Sequence, residues 1–353
     1  MHQSLAAILE QAVGMSASDI HLEAGSPICY RVSGELVYPD PELLDRSTVQ
    51  RLVYGALTPE QERFFEEQRE LDAAFELSGI GRFRMNVHMQ QGVVGAALRT
   101  VPDEVPDLAG LGLPPVLEEL PWIRNGLVLV TGATGSGKST TLAAVIKEIN
   151  QHRSARIVTI EDPVEYRHEF IRSVISQREV GEDTKSFSEA LRRAMRQNPD
   201  VILVGELRDR ESVSVALRAA NTGVLVLATL HTATAKDTIG AIVDFFPGDE
   251  QNAVRSRLAA SLRFVVAQVL CRGAGNNGGR LVATEILRVT PAVRNMIRDG
   301  RVHEIMSAIE TGSGLGMCTM GSSLKELVGS GRITADEARR QAPTDEGIDG
   351  FQI

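Results

Sequence analysis

Residues 81–89 alternate strictly. Phe83, Met85 and Val87 fall on one side, Arg82, Arg84 and Asn86 on the other, the period of a half-buried strand. Gln90-Gln91-Gly92 predicts a turn into a second strand over 93–100, which carries Arg99 near its end. An imperfect alternation over 28–37, containing the turn signal Ser33-Gly34, predicts more extended chain, and residues 47–57 and 59–70 read as helices. The first hundred residues therefore predict a small α+β domain.

The pattern changes beyond residue 123. Short continuous apolar runs at 126–131, 156–160, 201–204 and 224–229 alternate with helical stretches at 138–150, 187–197 and 210–220. Apolar strands without alternation are buried on both faces, so this order predicts a parallel sheet covered by helices. From residue 235 onward the chain reads as mostly helical. Five of the fourteen prolines lie within 102–121, and proline removes a donor and fixes φ. The expected organisation is an N-terminal α+β domain over 1–101, a proline-rich linker over 102–122, an α/β domain over 123–341 and an acidic, disordered tail over 342–353.

Composition narrows the function. The chain has 353 residues with 37 basic and 46 acidic side chains, a net charge of −9. That balance opposes sequence-independent binding to a phosphate backbone. Aromatic residues at 4% give little material for stacking bases, so no nucleic-acid partner is expected. Cys29, Cys271 and Cys318 form no C-x-x-C pair, which predicts neither a disulfide framework nor a cysteine-built zinc site. No signal peptide is expected in the first fifteen residues, and no apolar run approaches the ~18 residues of a membrane span. A cytoplasmic location follows as the expectation.

Residues 132–139, Gly-Ala-Thr-Gly-Ser-Gly-Lys-Ser, match the G-x-x-x-x-G-K-[ST] phosphate loop between a predicted strand and a predicted helix. Glycines let successive amides turn toward one anionic group, and the helix N-terminus adds partial positive charge. Gly132, Ala133, Thr134, Gly135, Ser136, Gly137, Lys138, Ser139 and Thr140 are the candidate nucleotide-binding residues. Lys138 is expected on the β- and γ-phosphates and the Ser139 hydroxyl on Mg²⁺.

Two acidic segments follow. Residues 160–166, Ile-Glu-Asp-Pro-Val-Glu-Tyr, put Glu161, Asp162 and Glu165 at the C-terminal end of a buried strand, where ligands gather in open α/β sheets. A carboxylate there can deprotonate water for in-line attack on a γ-phosphate. Residues 201–209, Val-Ile-Leu-Val-Gly-Glu-Leu-Arg-Asp, bring Glu206 out just past another core strand, where the Mg²⁺-side acid of P-loop enzymes stands. His231 follows the next strand and should lie near the same edge, where its imidazole can sense a γ-phosphate or serve only structure.

In this order and spacing, the segments at 132–140, 160–166, 201–209 and 228–232 resemble the Walker A, Asp, Walker B and His boxes of the bacterial secretion ATPases. Residues 292–299, Ala-Val-Arg-Asn-Met-Ile-Arg-Asp, resemble a helix of the branch that retracts type IV pili in twitching motility. Residues 18–22, 31–35 and 316–324 extend the likeness over nearly the whole chain. Membership would imply a PAS-like N-terminal domain and a RecA-like ATPase domain with a helical C-terminal part. It would also imply a homohexamer that turns over ATP with Mg²⁺ at the cytoplasmic side of an inner-membrane platform protein. Carried across, Glu165 is the catalytic base, Glu206 the Walker B acid and a metal-side residue with Ser139, and His231 the His-box residue. Arg82, Arg84 and Arg99 correspond to arginines that this family brings to the nucleotide. Val224 stands where retraction motors commonly have a second histidine, Asp299 replaces a terminal glutamate, and the tetracysteine insertion of the extension and type II branches is missing.

Two other functions fit the phosphate loop. A low-turnover accessory or regulatory pilus ATPase would show near-zero single-turnover hydrolysis. A RecA-like nucleic-acid motor would bind single strands in a salt-sensitive way.

Overall fold

The computed structural model describes residues 4–32, 34–101, 104–275 and 279–342. Ser33 of the predicted turn, Pro102 and the tail beyond residue 342 lie outside the described residues. The chain divides into two compact units, Met1–Glu104 and Val105–Ile353.

The first unit begins with α1 (Leu5–Gly14), β1 (Ala17–Leu22), β2 (Cys29–Val32) and β3 (Glu35–Val37). It continues with α2 (Arg46–Tyr54), α3 (Pro59–Gln68), β4 (Glu70–Leu77), β5 (Gly81–Gln90) and β6 (Val93–Val101). Local chemistry sets the boundaries of α3. Thr58 and Gln61 form a capping box, Pro59 opens the helix, and Arg69 at φ +68° ends it. The reversal lets β4 begin at once, one strand more than the helical reading of 59–70 allowed. The strands form one antiparallel sheet in the order β3-β2-β1-β6-β5-β4. Phe83, Met85 and Val87, the apolar side of the alternation, are buried with Ile8, Leu9, Val49, Leu52 and Phe65 of the three helices.

The second unit begins differently from the expectation of a linker over 102–122. From Val105 the chain packs, with two 3-10 segments, Leu108–Leu111 and Pro115–Trp122. Their Leu108, Leu117 and Leu120 are buried in the core. Proline at a first helical position gives up an N–H that no helix would use, so the prolines here shape short turns.

There follow β7 (Gly126–Thr131), α4 (Lys138–His152), β8 (Arg156–Glu161), β9 (Val174–Glu179), α5 (Phe187–Ala194), β10 (Val201–Val204), α6 (Arg210–Asn221) and β11 (Leu225–Leu230). Then come α7 (Ala235–Asp244), α8 (Gly248–Ser261), β12 (Leu262–Arg272), β13 (Arg280–Arg288), α9 (Pro291–Arg298), α10 (Ile305–Thr311), α11 (Met320–Gly329) and α12 (Ala335–Gln341). Among the described residues the sheet runs β13-β12-β7-β11-β10-β8-β9. Every neighbouring pair is parallel except β12 with β13.

Successive residues of one strand enter two cores. Leu127 and Leu129 of β7 face one cluster with α5 to α10, whereas Val128 and Val130 face another with α4 and the 3-10 segments. This is why the strands read as unbroken apolar runs.

The mostly helical reading beyond residue 235 is corrected here, since β12 and β13 lie in that region. Residues 262–272 hold two short apolar runs, 264–267 and 269–271, broken by Gln268, and short apolar runs carry no alternation to mark them as strand and not buried helix. Among the described residues no helix is long and apolar enough to cross a membrane.

Candidate functional site

The loop between β7 and α4 turns on glycines. Gly132 has φ +137°, and a Cβ there would lie 2.3 Å from the Gln268 carbonyl oxygen and 2.6 Å from Ser136 Oγ, closer than any side chain is tolerated. Gly135 and Gly137 have φ +79° and +91°, a region that glycine enters freely. α4 starts without a side-chain cap, leaving its first-turn amides open to an anion. Ser136 Oγ is buried and has no hydrogen-bond partner. An uncapped helix start beside an orphaned buried hydroxyl fits a phosphate group.

Lys138 is 8% exposed. Its Nζ donates to the carbonyl oxygens of Gly132 at 2.7 Å and Ala133 at 2.9 Å. Burial lowers the ammonium pKa, while the charges of Glu206 and Glu165 act to raise it. The phosphate-loop lysine and both predicted acids therefore share one electrostatic neighbourhood.

The acids emerge from β8 and β10 because the strand ends are stitched together. The Gly205 amide donates to the Ile160 carbonyl at 2.7 Å, and that of Leu207 to the Thr229 carbonyl at 3.1 Å. Thr229 Oγ1 also donates to the Gly205 carbonyl. Glu206, only 18% exposed at its side chain, lies with Oε1 3.2 Å from His231 Nε2 and Oε2 2.7 Å from Arg208 Nε. His231 thus joins the site through Glu206. Val224 is buried at the opposite end of that segment, just before β11.

The three carboxylates after β8 separate in role. Glu161 accepts from Thr159 Oγ1 at 2.6 Å and from Gln177 Nε2 at 3.4 Å. Burial raises its pKa above the usual glutamate value, although these bonds and the Glu165 backbone amide oppose the rise. Asp162 Oδ2 accepts from Arg208 Nη1 at 3.2 Å. Glu165 is half-buried and close enough to Lys138 to influence its charge. The Val164 amide donates to Glu179 Oε2 at 3.0 Å, the Tyr166 carbonyl accepts from Gln177 Nε2 at 2.7 Å, and the Tyr166 hydroxyl meets Thr140 Oγ1 at 3.0 Å. The segment carrying Glu165 is thereby held between β9 and α4.

Ser139 and Glu206 offer a hydroxyl and a carboxylate, hard oxygen donors suited to Mg²⁺, which keeps water and phosphate as its other ligands. Among the described residues no group of three or more His, Cys, Asp or Glu forms a metal site.

Arg82, Arg84 and Arg99 belong to the first unit. Arg84 stands directly opposite Arg99 in the β5–β6 pairing, and Arg82 opposite Val101, so the three share one sheet face. Arg99 Nε donates to Asp19 Oδ1 at 3.0 Å. In the second unit, residues 292–299 begin one residue into α9 and continue just past its end. Val293 and Ile297 are buried, and Thr290 caps the helix by accepting the Val293 amide. Residues 316–324 run into α11, with a backbone bridge from Cys318 to Ile286 of β13.

Arg208, Gln177 and the contact of Tyr166 with the predicted loop residue Thr140 were not legible in the sequence. Arg208 stands inside the second acidic segment, two residues after Glu206, but no spacing says that it reaches Asp162, 46 positions earlier.

The chain matches the model of type II/IV secretion system proteins over residues 1–313. It is 45% identical over 341 residues to the type IV pilus retractation ATPase PilT of Pseudomonas aeruginosa, covering 97% of this chain and 98% of that protein. It is 43% identical to a twitching motility protein of Neisseria gonorrhoeae, covering 90% and 85%. A crystal structure of the pilus retraction motor PilT with bound ADP superposes with a TM-score of 0.87 at 45% identity, covering 97% of each chain.

Proposed function

Since the chain belongs to the type II/IV secretion system protein family, we propose that it is a Mg²⁺-dependent ATPase motor that retracts type IV pili in twitching motility. The observation that carries this reading is the glycine-turned loop that leads into the uncapped start of α4, with Lys138 buried in it. The likeness over the full length to a retraction ATPase supports it.

In this reading the second unit is a RecA-like domain with a helical C-terminal part, and the first is PAS-like. The amides of residues 132–140 and the Lys138 ammonium hold the phosphates. Glu165 takes the proton from a water that attacks the γ-phosphorus as the bond to the β-phosphate oxygen breaks. Ser139 and Glu206 would hold Mg²⁺, which would offset the charge on the phosphate oxygens. His231 orients Glu206. The chains assemble as a homohexamer, and Arg82, Arg84 and Arg99 of a neighbouring copy steady the transferred charge. The ring works at the cytoplasmic face of the inner membrane against a platform protein of the pilus machine.

Glu165→Gln tests the chemistry. Turnover is expected to fall about 10²- to 10⁴-fold while ADP binding, followed by calorimetry, stays within a few-fold; full turnover in this variant removes the base assignment. Deletion of the gene tests the biology: surplus, non-retracting pili support retraction, and bald cells point to pilus extension instead.

A further inference from the structure

One guanidinium joins the two acidic segments. Arg208 Nε donates to Glu206 Oε2 at 2.7 Å and Nη1 to Asp162 Oδ2 at 3.2 Å. Its Cζ also lies 5.8 Å from the centroid of the Phe187 ring, a cation–π distance. Glu206 sits at the end of β10, and Asp162 opens the turn that carries Glu165. The fork of an arginine suits this task, because two donors in a fixed plane set the distance between two carboxylates. A lysine ammonium supplies the same charge from a single point.

We propose that Arg208 is a positioning residue that sets the spacing between the Mg²⁺-side acid, Glu206, and the base, Glu165, by tying Glu206 to Asp162. This rests on the roles given to Glu165 and Glu206 above. In this assignment Arg208 acts through the two carboxylates that it bridges. With His231 on Oε1 and Arg208 on Oε2, Glu206 has one partner on each oxygen. A carboxylate accepts about four hydrogen bonds, so a metal-bound water can still be received.

The geometry separates this role from a structural one. Arg208 and Asp162 are 53% and 40% exposed at their side chains, and exposed ion pairs contribute little to folding. Losing the bridge is therefore expected to leave the fold in place while moving the acids apart, and a misplacement of about 1 Å at a reacting group lowers rates up to roughly 100-fold.

The test uses the full chain with Mg²⁺ and ATP, comparing wild type with Arg208→Gln, Arg208→Lys, Asp162→Asn and the Arg208→Gln/Asp162→Asn pair. Arg208→Gln is expected to lower kcat by about tenfold or more, with KM within a few-fold and the thermal midpoint nearly unmoved. Arg208→Lys should fall almost as far, since it keeps the charge and loses the fork. The double variant should be no slower than the slower single one, because both changes cut the same bridge. Wild-type kcat in Arg208→Lys, or losses that multiply in the double variant, overturns the proposal while leaving the ATPase reading standing. A wild-type chain without turnover overturns the ATPase reading first, and this assignment with it.

Discussion

Lys138 and Glu161 show how burial gives side chains of the same site different tasks. Burial works against the charge of Lys138, yet two loop carbonyls hold the ammonium and the charges of Glu206 and Glu165 favour it. Lys138→Ala is expected to weaken ADP binding by about tenfold to a hundredfold, the range for a lost charge-assisted contact, which calorimetry measures directly. Glu161 is held by its neighbours and not offered to a ligand. Burial raises its pKa above the ordinary 4.5, so only between the unfolded and folded values does the folded chain keep a proton that the unfolded chain has released. The stability it lends is complete below the unfolded value and is lost as pH rises through the folded one. His168 does the opposite. Burial, aided by the Lys147 ammonium, pushes its pKa from 6.5 down to about 4, so its stability is present above 6.5 and lost as pH falls through 4. Thermal midpoints across pH should therefore be flatter for Glu161→Gln on the rising side and for His168→Gln on the acid side. Identical profiles to wild type would contradict both directions.

Between elements, close approach fixes the loops. Gly316 has φ +79°, and a Cβ there would lie 2.6 Å from Val116 Cβ in the second 3-10 segment. The segment before α11 thus closes directly over the proline-rich stretch. Gly316→Ala combines a left-handed backbone with overpacking, about 1–3 kcal/mol, and should lower the thermal midpoint by roughly 5 °C in a melting experiment. Glu285 works at the same scale on β13. It is fully buried, and its Oε1 accepts the Ala235 amide at 2.7 Å, the first N–H of α7, four residues after His231. An edge strand unread in the sequence therefore anchors the helix that leaves the His231 segment.

For the whole molecule, the proposed arginines and the phosphate loop occupy different compact units. If a neighbouring copy completes each site, Arg99→Ala is expected to lower kcat by about 10³- to 10⁵-fold without loss of ADP binding. Mixing Arg99→Ala chains with Lys138→Ala chains should then restore part of the ATPase activity, because some interfaces regain both a sound loop and a sound arginine. Mixtures no more active than either parent would mean that each site is completed within one chain.

The phosphate loop, both acidic segments and four of the parallel strands, β7, β8, β10 and β11, were legible in the sequence, because each depends on local physics. Glycines permit the turn at 132–137, and unbroken apolar runs mark strands covered on both faces. β12 and β13 escaped because β12 holds only short apolar runs, 264–267 and 269–271, whose periodicity is shared with a buried helix. The packed start of the second unit escaped because proline density describes turns and linkers equally well. Only the tertiary structure decided that Glu206 and Glu165 bear on the charge of Lys138, that His231 meets Glu206, and that Arg208 spans to Asp162. Those distances depend on strand order, and strand order comes from packing two cores at once.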